Sequence, residues 1–150
     1  MGRIAGIMLV LSAAAVTLGV ATGSSAAGAA GAPDQAYSWS QRAVCPASGL
    51  TLGLRTSHTT IRYSGAGASR QWSVQGTVVV TAPGHRGADY TLSYVGQDSA
   101  GGGTTVTGRS VQIALGSGPV AVDGTAYLAP DGSLGRTTGS VSSICSAFGA

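Results

Sequence analysis

The sequence predicts an all-β protein: an antiparallel two-sheet β-sandwich of about eight short strands, stapled by one disulfide, with a closed β-barrel as the second choice. Three observations predict it. Residues 71–82 read QWSVQGTVVVTA. Trp72, Val74, Gly76, Val78 and Val80 alternate with Gln71, Ser73, Gln75, Thr77 and Thr81, and only Val79 breaks the pattern. Period two in β-branched and aromatic residues marks a half-buried strand. Turn signals then recur at regular spacing, with no helical periodicity after residue 32. Finally, Cys45 and Cys145 stand near the two ends of that region and are the only cysteines.

The elements follow in order. Residues 1–32 have the three-part pattern of an export signal: Met1-Gly2-Arg3, an apolar run over 4–20, then small residues with cleavage expected between Ala27 and Ala32. The apolar run falls short of the roughly 20 residues a membrane span requires, and no second one follows. A secreted or cell-wall-associated protein is expected, with a flexible lead-in over 33–36 and a single domain over 37–150. In an oxidising compartment Cys45 and Cys145 pair most simply with each other.

Residues 37–45 read as the first strand, stopped at Pro46. Leu50, Leu52 and Leu54 alternate, as do Ile61 and Tyr63. A turn over 56–59 would set Leu54 opposite Ile61 and Leu52 opposite Tyr63. After the central strand and the 83–88 loop, Tyr90, Leu92 and Tyr94 would face Val80, Val78 and Gly76. Val106 is out of phase with Val111, Ile113 and Leu115, which a bulge at Gly108 would repair. Asp123-Gly124 reads as a tight hairpin or a bulge, and the last strand covers 136–145. The order Cys45, Trp72, Cys145 is immunoglobulin-like, but the spacing is too wide and position 143 is Ser rather than the expected Tyr. The likeness is one of layers; this is not a true immunoglobulin domain.

Charge narrows the function classes. All eight cations are Arg and all five anions are Asp; there is no Lys, Glu or Asn. The Arg residues are scattered, without the basic stripe of a nucleic-acid binder. No Gly-x-Ser-x-Gly elbow occurs, and the glycines at 101–103 lack the Lys-Ser/Thr of a phosphate loop. Asp123 and Asp131 each precede Gly in turn contexts, Asp34 lies in the lead-in, and only Asp89 remains as a candidate acid. The densest polar group is Pro83, Gly84, His85, Arg86 and Asp89. With His58, His85 and Asp89 supply the minimum ligand set of a metal site, without motif spacing; the bland alternative is an exposed loop with an Arg86–Asp89 pair. Trp39, Tyr63, Trp72, Tyr90, Tyr94 and Tyr127 all fall on strands, as core or as an exposed binding face.

The expectation is therefore an exported, non-catalytic module without a cofactor, binding a protein or cell-wall polysaccharide. Its contact loops would be 83–88 and 97–104, the latter carrying Asp98. The alternatives are a secreted hydrolase inhibitor presenting Arg86 and, third, a small metal-dependent enzyme.

Overall fold

Every long run of alternating side chains becomes a strand, and each strand turns back onto its predecessor. The computed structural model describes residues 33–66 and 70–150; the expected export signal lies outside them. In order come β1 (Gln35–Ala36), β2 (Ser40–Val44), β3 (Thr51–Ser64), β4 (Gln71–Thr81), β5 (Ala88–Asp98), β6 (Thr104–Ala114), β7 (Gly118–Leu128) and β8 (Leu134–Ser143). A single-turn helix, α1 (Ile144–Ala147), follows. The fold is all-β and antiparallel, and hydrogen bonds join the eight strands into one sheet in the order β1-β3-β4-β5-β6-β7-β8, with β2 also on β3. The sheet does not close into a barrel.

It does bend round. A flat ladder would hold β2 and β8 six spacings, about 29 Å, apart. Cys45 follows β2 and Cys145 lies just past β8, yet their Cα atoms are 5.7 Å apart and joined by the disulfide. The β6–β7 hairpin is bent as well. Leu115 at its tip donates its N–H to Gly132 O, 3.0 Å away, beyond the far end of β7. A straight β7 would separate them by about 35 Å.

The hinge is a row of glycines. Gly108 pairs with Gly124, and Gly124 with Gly139. Their φ angles are 121°, 145° and 84°. A Cβ at Gly124 would lie 2.1 Å from Thr138 O, and one at Gly139 2.2 Å from Asp123 O. No side chain fits between backbones that close. Folding along this row sets Val120 and Val122 against Ala126 and Leu134 as a small second core. It also turns Val111 toward the main core of Leu52, Leu54, Ile61, Trp72, Val74, Val78 and Val80, with Ile113 and Ala121 packed against it. The two layers are thus arms of one folded sheet.

Several expectations change. The phase break at Gly108 is real, but β6 and β7 stay in continuous register through it, so it is a fold line rather than a bulge. β7 likewise continues unbroken through Asp123-Gly124, bending there without a turn. The turn expected over 56–59 is a bulge inside a 14-residue β3: the register shifts between Ser57 and Thr60, and Leu54 faces Val80 while Ile61 faces Val74. There the first strand breaks too, into β1 and β2, and Trp39 N–H bonds Thr56 Oγ1 at 3.0 Å instead of a ladder carbonyl. The lead-in is not wholly loose, since Gln35 and Ala36 pair with Ile61 and Thr60. β4 and β5 pair two residues from the expected register: Val80 faces Ala88, Val78 faces Tyr90 and Val74 faces Tyr94. Gly76 faces Leu92 rather than Tyr94, and Gly96 lies beneath the Trp72 ring, where a Cβ would clash with it. The last strand stops at Ser143, where α1 carries Ile144 and Cys145 into the core.

Two predictions follow from these contacts. Gly124→Ala is expected to cost roughly 3 kcal/mol, combining about 1–3 for overpacking with about 1–2 for a disfavoured backbone angle. Gly84→Ala, where nothing lies within 4 Å of the added Cβ, should cost only the latter, and equal urea midpoints for the two variants would refute the hinge. Burial, reinforced by neighbouring tyrosines, pushes the Tyr94 and Tyr37 hydroxyls well above the usual range. Folding stability from these neutral phenols is complete below the unfolded value near 10 and is lost as pH rises above it. Phenolate absorbance should show Tyr37 and Tyr94 ionising only as the chain unfolds, and Tyr94→Phe should raise the alkaline midpoint. Reversible ionisation of all five tyrosines with the fold intact would contradict this.

Candidate functional site

The folded sheet opens where its arms part. β5 and β6 are paired from Asp98↔Thr104 only as far as Ser93↔Arg109. Beyond that point residues 88–92 of β5 keep their bonds to β4, while β6 bonds β7 alone. The diverging strands enclose an open cleft of about 250 Å³. Asp89, Tyr90 and Thr91 form one wall; Arg109, Asp123, Ser140 and Ser142 line the other.

Register explains the second wall. Arg109 is directly opposite Asp123, and Asp123 opposite Ser140, so the three share one face across three strands. Arg109 Nε donates to Asp123 Oδ2 at 3.3 Å, and both side chains are about three-fifths exposed. Such a pair contributes about 0–1 kcal/mol; it orients the two groups more than it holds the fold. Tyr90 is half-buried against the core, and burial raises its hydroxyl above the usual range. Beside Ala121 and Val122, the lining residues carry two carboxylates, one guanidinium, a phenol and four hydroxyls, counting Ser110, a dense set of hydrogen-bonding groups. Further along β6, Gln112 is 1% exposed, and neither amide atom of its side chain meets a protein partner; the hydroxyl of Ser110, a residue that also lines the cleft, is likewise unpartnered.

Of the contact-loop and metal-site candidates named from the sequence, Asp89 alone reaches this cleft; Tyr90, one of the aromatics expected as core or binding face, lines it too. Pro83, Gly84, His85 and Arg86 form an exposed loop, braced by His85 N–H to Ala82 O at 3.2 Å and by the His85 ring edge-on to Phe148. Asp98 accepts a hydrogen bond from Thr104 Oγ1 at 3.2 Å. These two loops cap opposite ends of the 11-residue β5, about 30 Å apart along an extended strand. No ion pair joins Arg86 to Asp89; the ion pairs among the described residues are Arg62–Asp34 and Arg109–Asp123. His58 sits in the bulge opposite Gly76, while Asp89 faces Val79, three residues further along β4 and a strand away. Among the described residues no three His, Cys, Asp or Glu side chains gather where they could hold a metal, so His58, His85 and Asp89 do not form the site their residue types allowed.

The aromatic residues are mostly interior. Tyr37, Trp72 and Tyr94 are buried, and Trp39, Tyr63 and Tyr90 pack against the same core. Arg70 lies over the Tyr63 ring at 4.5 Å. Arg109, Ser140 and Ser142 were not singled out from the sequence, and Asp123 was explained there by its turn context. The available signal was an isolated glycine within a strand pattern, flanked by a polar residue, at Gly108-Arg109, Asp123-Gly124 and Gly139-Ser140.

If the Arg109–Asp123 pair orients rather than stabilises, Arg109→Ala and Asp123→Ala should each shift stability by under about 1 kcal/mol, with a coupling of similar size in a double-mutant cycle. A coupling of several kcal/mol by urea unfolding would make the pair structural instead. No family model, curated protein or solved structure matches the chain.

Proposed function

We propose that the protein is an exported, non-catalytic binding module that holds a polysaccharide of the cell surface or medium in the cleft between β5 and β6. The observation that carries this reading is the composition of that cleft. Asp89 and Asp123 accept hydrogen bonds, Arg109 donates them, Thr91, Ser140 and Ser142 do both, and Tyr90 adds a ring. A polyhydroxylated ligand offers matching donors and acceptors with no net charge. With two carboxylates against one guanidinium, the cleft disfavours anionic partners. The groups are spread over four strands, so the sheet itself fixes their spacing. Export is supported by the Cys45–Cys145 disulfide, a bond kept mainly in oxidising compartments. No helix among the described residues is long and apolar enough to cross a membrane.

The test is depletion of the protein, recovered from culture medium after expression of the whole chain, by insoluble peptidoglycan, chitin, cellulose and xylan. At least one should retain it. Arg109→Ala and Asp123→Asn should each weaken that retention about tenfold, equivalent to about 1.4 kcal/mol. Retention by none of the four would end the polysaccharide reading, and retention indifferent to both substitutions would remove the cleft as its site.

A further inference from the structure

A second surface lies on the opposite flank, at the edge where the sheet fails to close. β2 is bonded to β3 alone, from Ser40↔Arg55 to Val44↔Thr51. Trp39 O accepts from Thr56 N–H at 3.0 Å, and Cys45 N–H donates to Leu50 O at 2.8 Å, so residues 39 and 45 turn their backbone groups toward β3. In an antiparallel ladder this orientation alternates. Residues 41 and 43 therefore face β3 as well, and the N–H and C=O groups of Ser40, Arg42 and Val44 point to the open edge. Val44 O fits this direction: it lies 3.5 Å from where a Cβ on Gly118, in β7, would stand, so β7 flanks the edge at Val44 and the open stretch is that of Ser40 and Arg42.

That edge borders a groove of about 270 Å³ between β2 and the tip of the β6–β7 hairpin. Its lining includes Val44, Pro46, Ile113 and Leu115, and Val44 and Leu115 are 52% and 51% exposed. Arg42 stands on the same groove, exposed, and belongs to neither ion pair among the described residues. Outward backbone groups select an extended chain. The apolar lining selects an apolar side chain, and the unpaired guanidinium a carboxylate.

We propose that β2 takes an extended peptide segment of a partner protein as an added strand, with an apolar side chain against Val44 and Leu115 and an acidic residue at Arg42. Like charge argues against a second copy as the occupant. Pairing β2 with its own copy brings two Arg42 edges together.

The experiment is selection of random peptides of about ten residues on the immobilised, disulfide-bonded protein, followed by amide chemical shifts with the selected peptide. Enriched sequences should alternate apolar residues and carry Asp or Glu. Shifts should concentrate on Ser40–Val44 and residues 113–118. Methylating alternate peptide nitrogens should weaken binding at least about tenfold, and Arg42→Glu should do the same for acidic peptides but not for their amide analogues. No enrichment, shifts centred on the β5–β6 cleft or on β8, or indifference to N-methylation would overturn the proposal. So would concentration-dependent dimerisation through β2 without peptide. None of these outcomes bears on polysaccharide retention.

Discussion

Three glycines in register decide the shape of this protein. At Gly108, Gly124 and Gly139 the neighbouring backbone occupies the space a Cβ would need. That close approach lets β6, β7 and β8 fold along one line while their ladder bonds continue. Everything distinctive lies on one side of the line or the other. The second core forms inside the fold, where Val120 and Val122 meet Ala126. The cleft forms outside it, because β6 cannot both fold and stay paired to β5 beyond Arg109. A single sheet thereby achieves what two packed sheets usually achieve, an interior buried between two layers.

The class of fold was legible because alternation is a property of each strand by itself. Trp72, Val74, Val78 and Val80 are buried as their spacing requires. Pairing is a different matter. A two-residue slip leaves every side chain on the same face, so the pattern of β4 and β5 fits Val80 against Tyr90 as well as it fits the observed Val80 against Ala88. A break in alternation is equally ambiguous. At 56–59 it came from a bulge within β3 rather than a turn, and both shift the phase. The glycines of the row were visible only as separate anomalies, a phase break at Gly108 and an Asp-Gly pair at Gly124. That the row continues through Gly124 and Gly139 is a fact of register, which no single strand contains.

The candidate site was less legible for the same reason. Asp123 had a sufficient local explanation in the Asp-Gly pair, and Arg109 none at all. Neither points to function until β6 and β7 are laid side by side and the two prove to be directly opposed. Asp89 could be found by elimination, since an inventory of five acids is short. The loops chosen for their glycines and charges are exposed, but β5 holds them at its two ends. Composition identifies which residues are free to act; only topology says which of them act together.

The disulfide completes this logic. An open sheet of eight strands has two edges to control, and barrels do so by bonding them to each other. Here sulfur takes that role. Cys45 beside β2 and Cys145 beyond β8 tie the ends of the ladder across a separation of 100 residues. In the chain-entropy account a loop of that size restrains the unfolded state by roughly 4.7 kcal/mol. A covalent tie consumes no backbone donors or acceptors, whereas strand pairing would have used those of Ser40, Arg42 and Val44. The staple therefore holds the sheet's ends together and leaves the outer edge of β2 unbonded. A fold closed by hydrogen bonds could not keep that edge free.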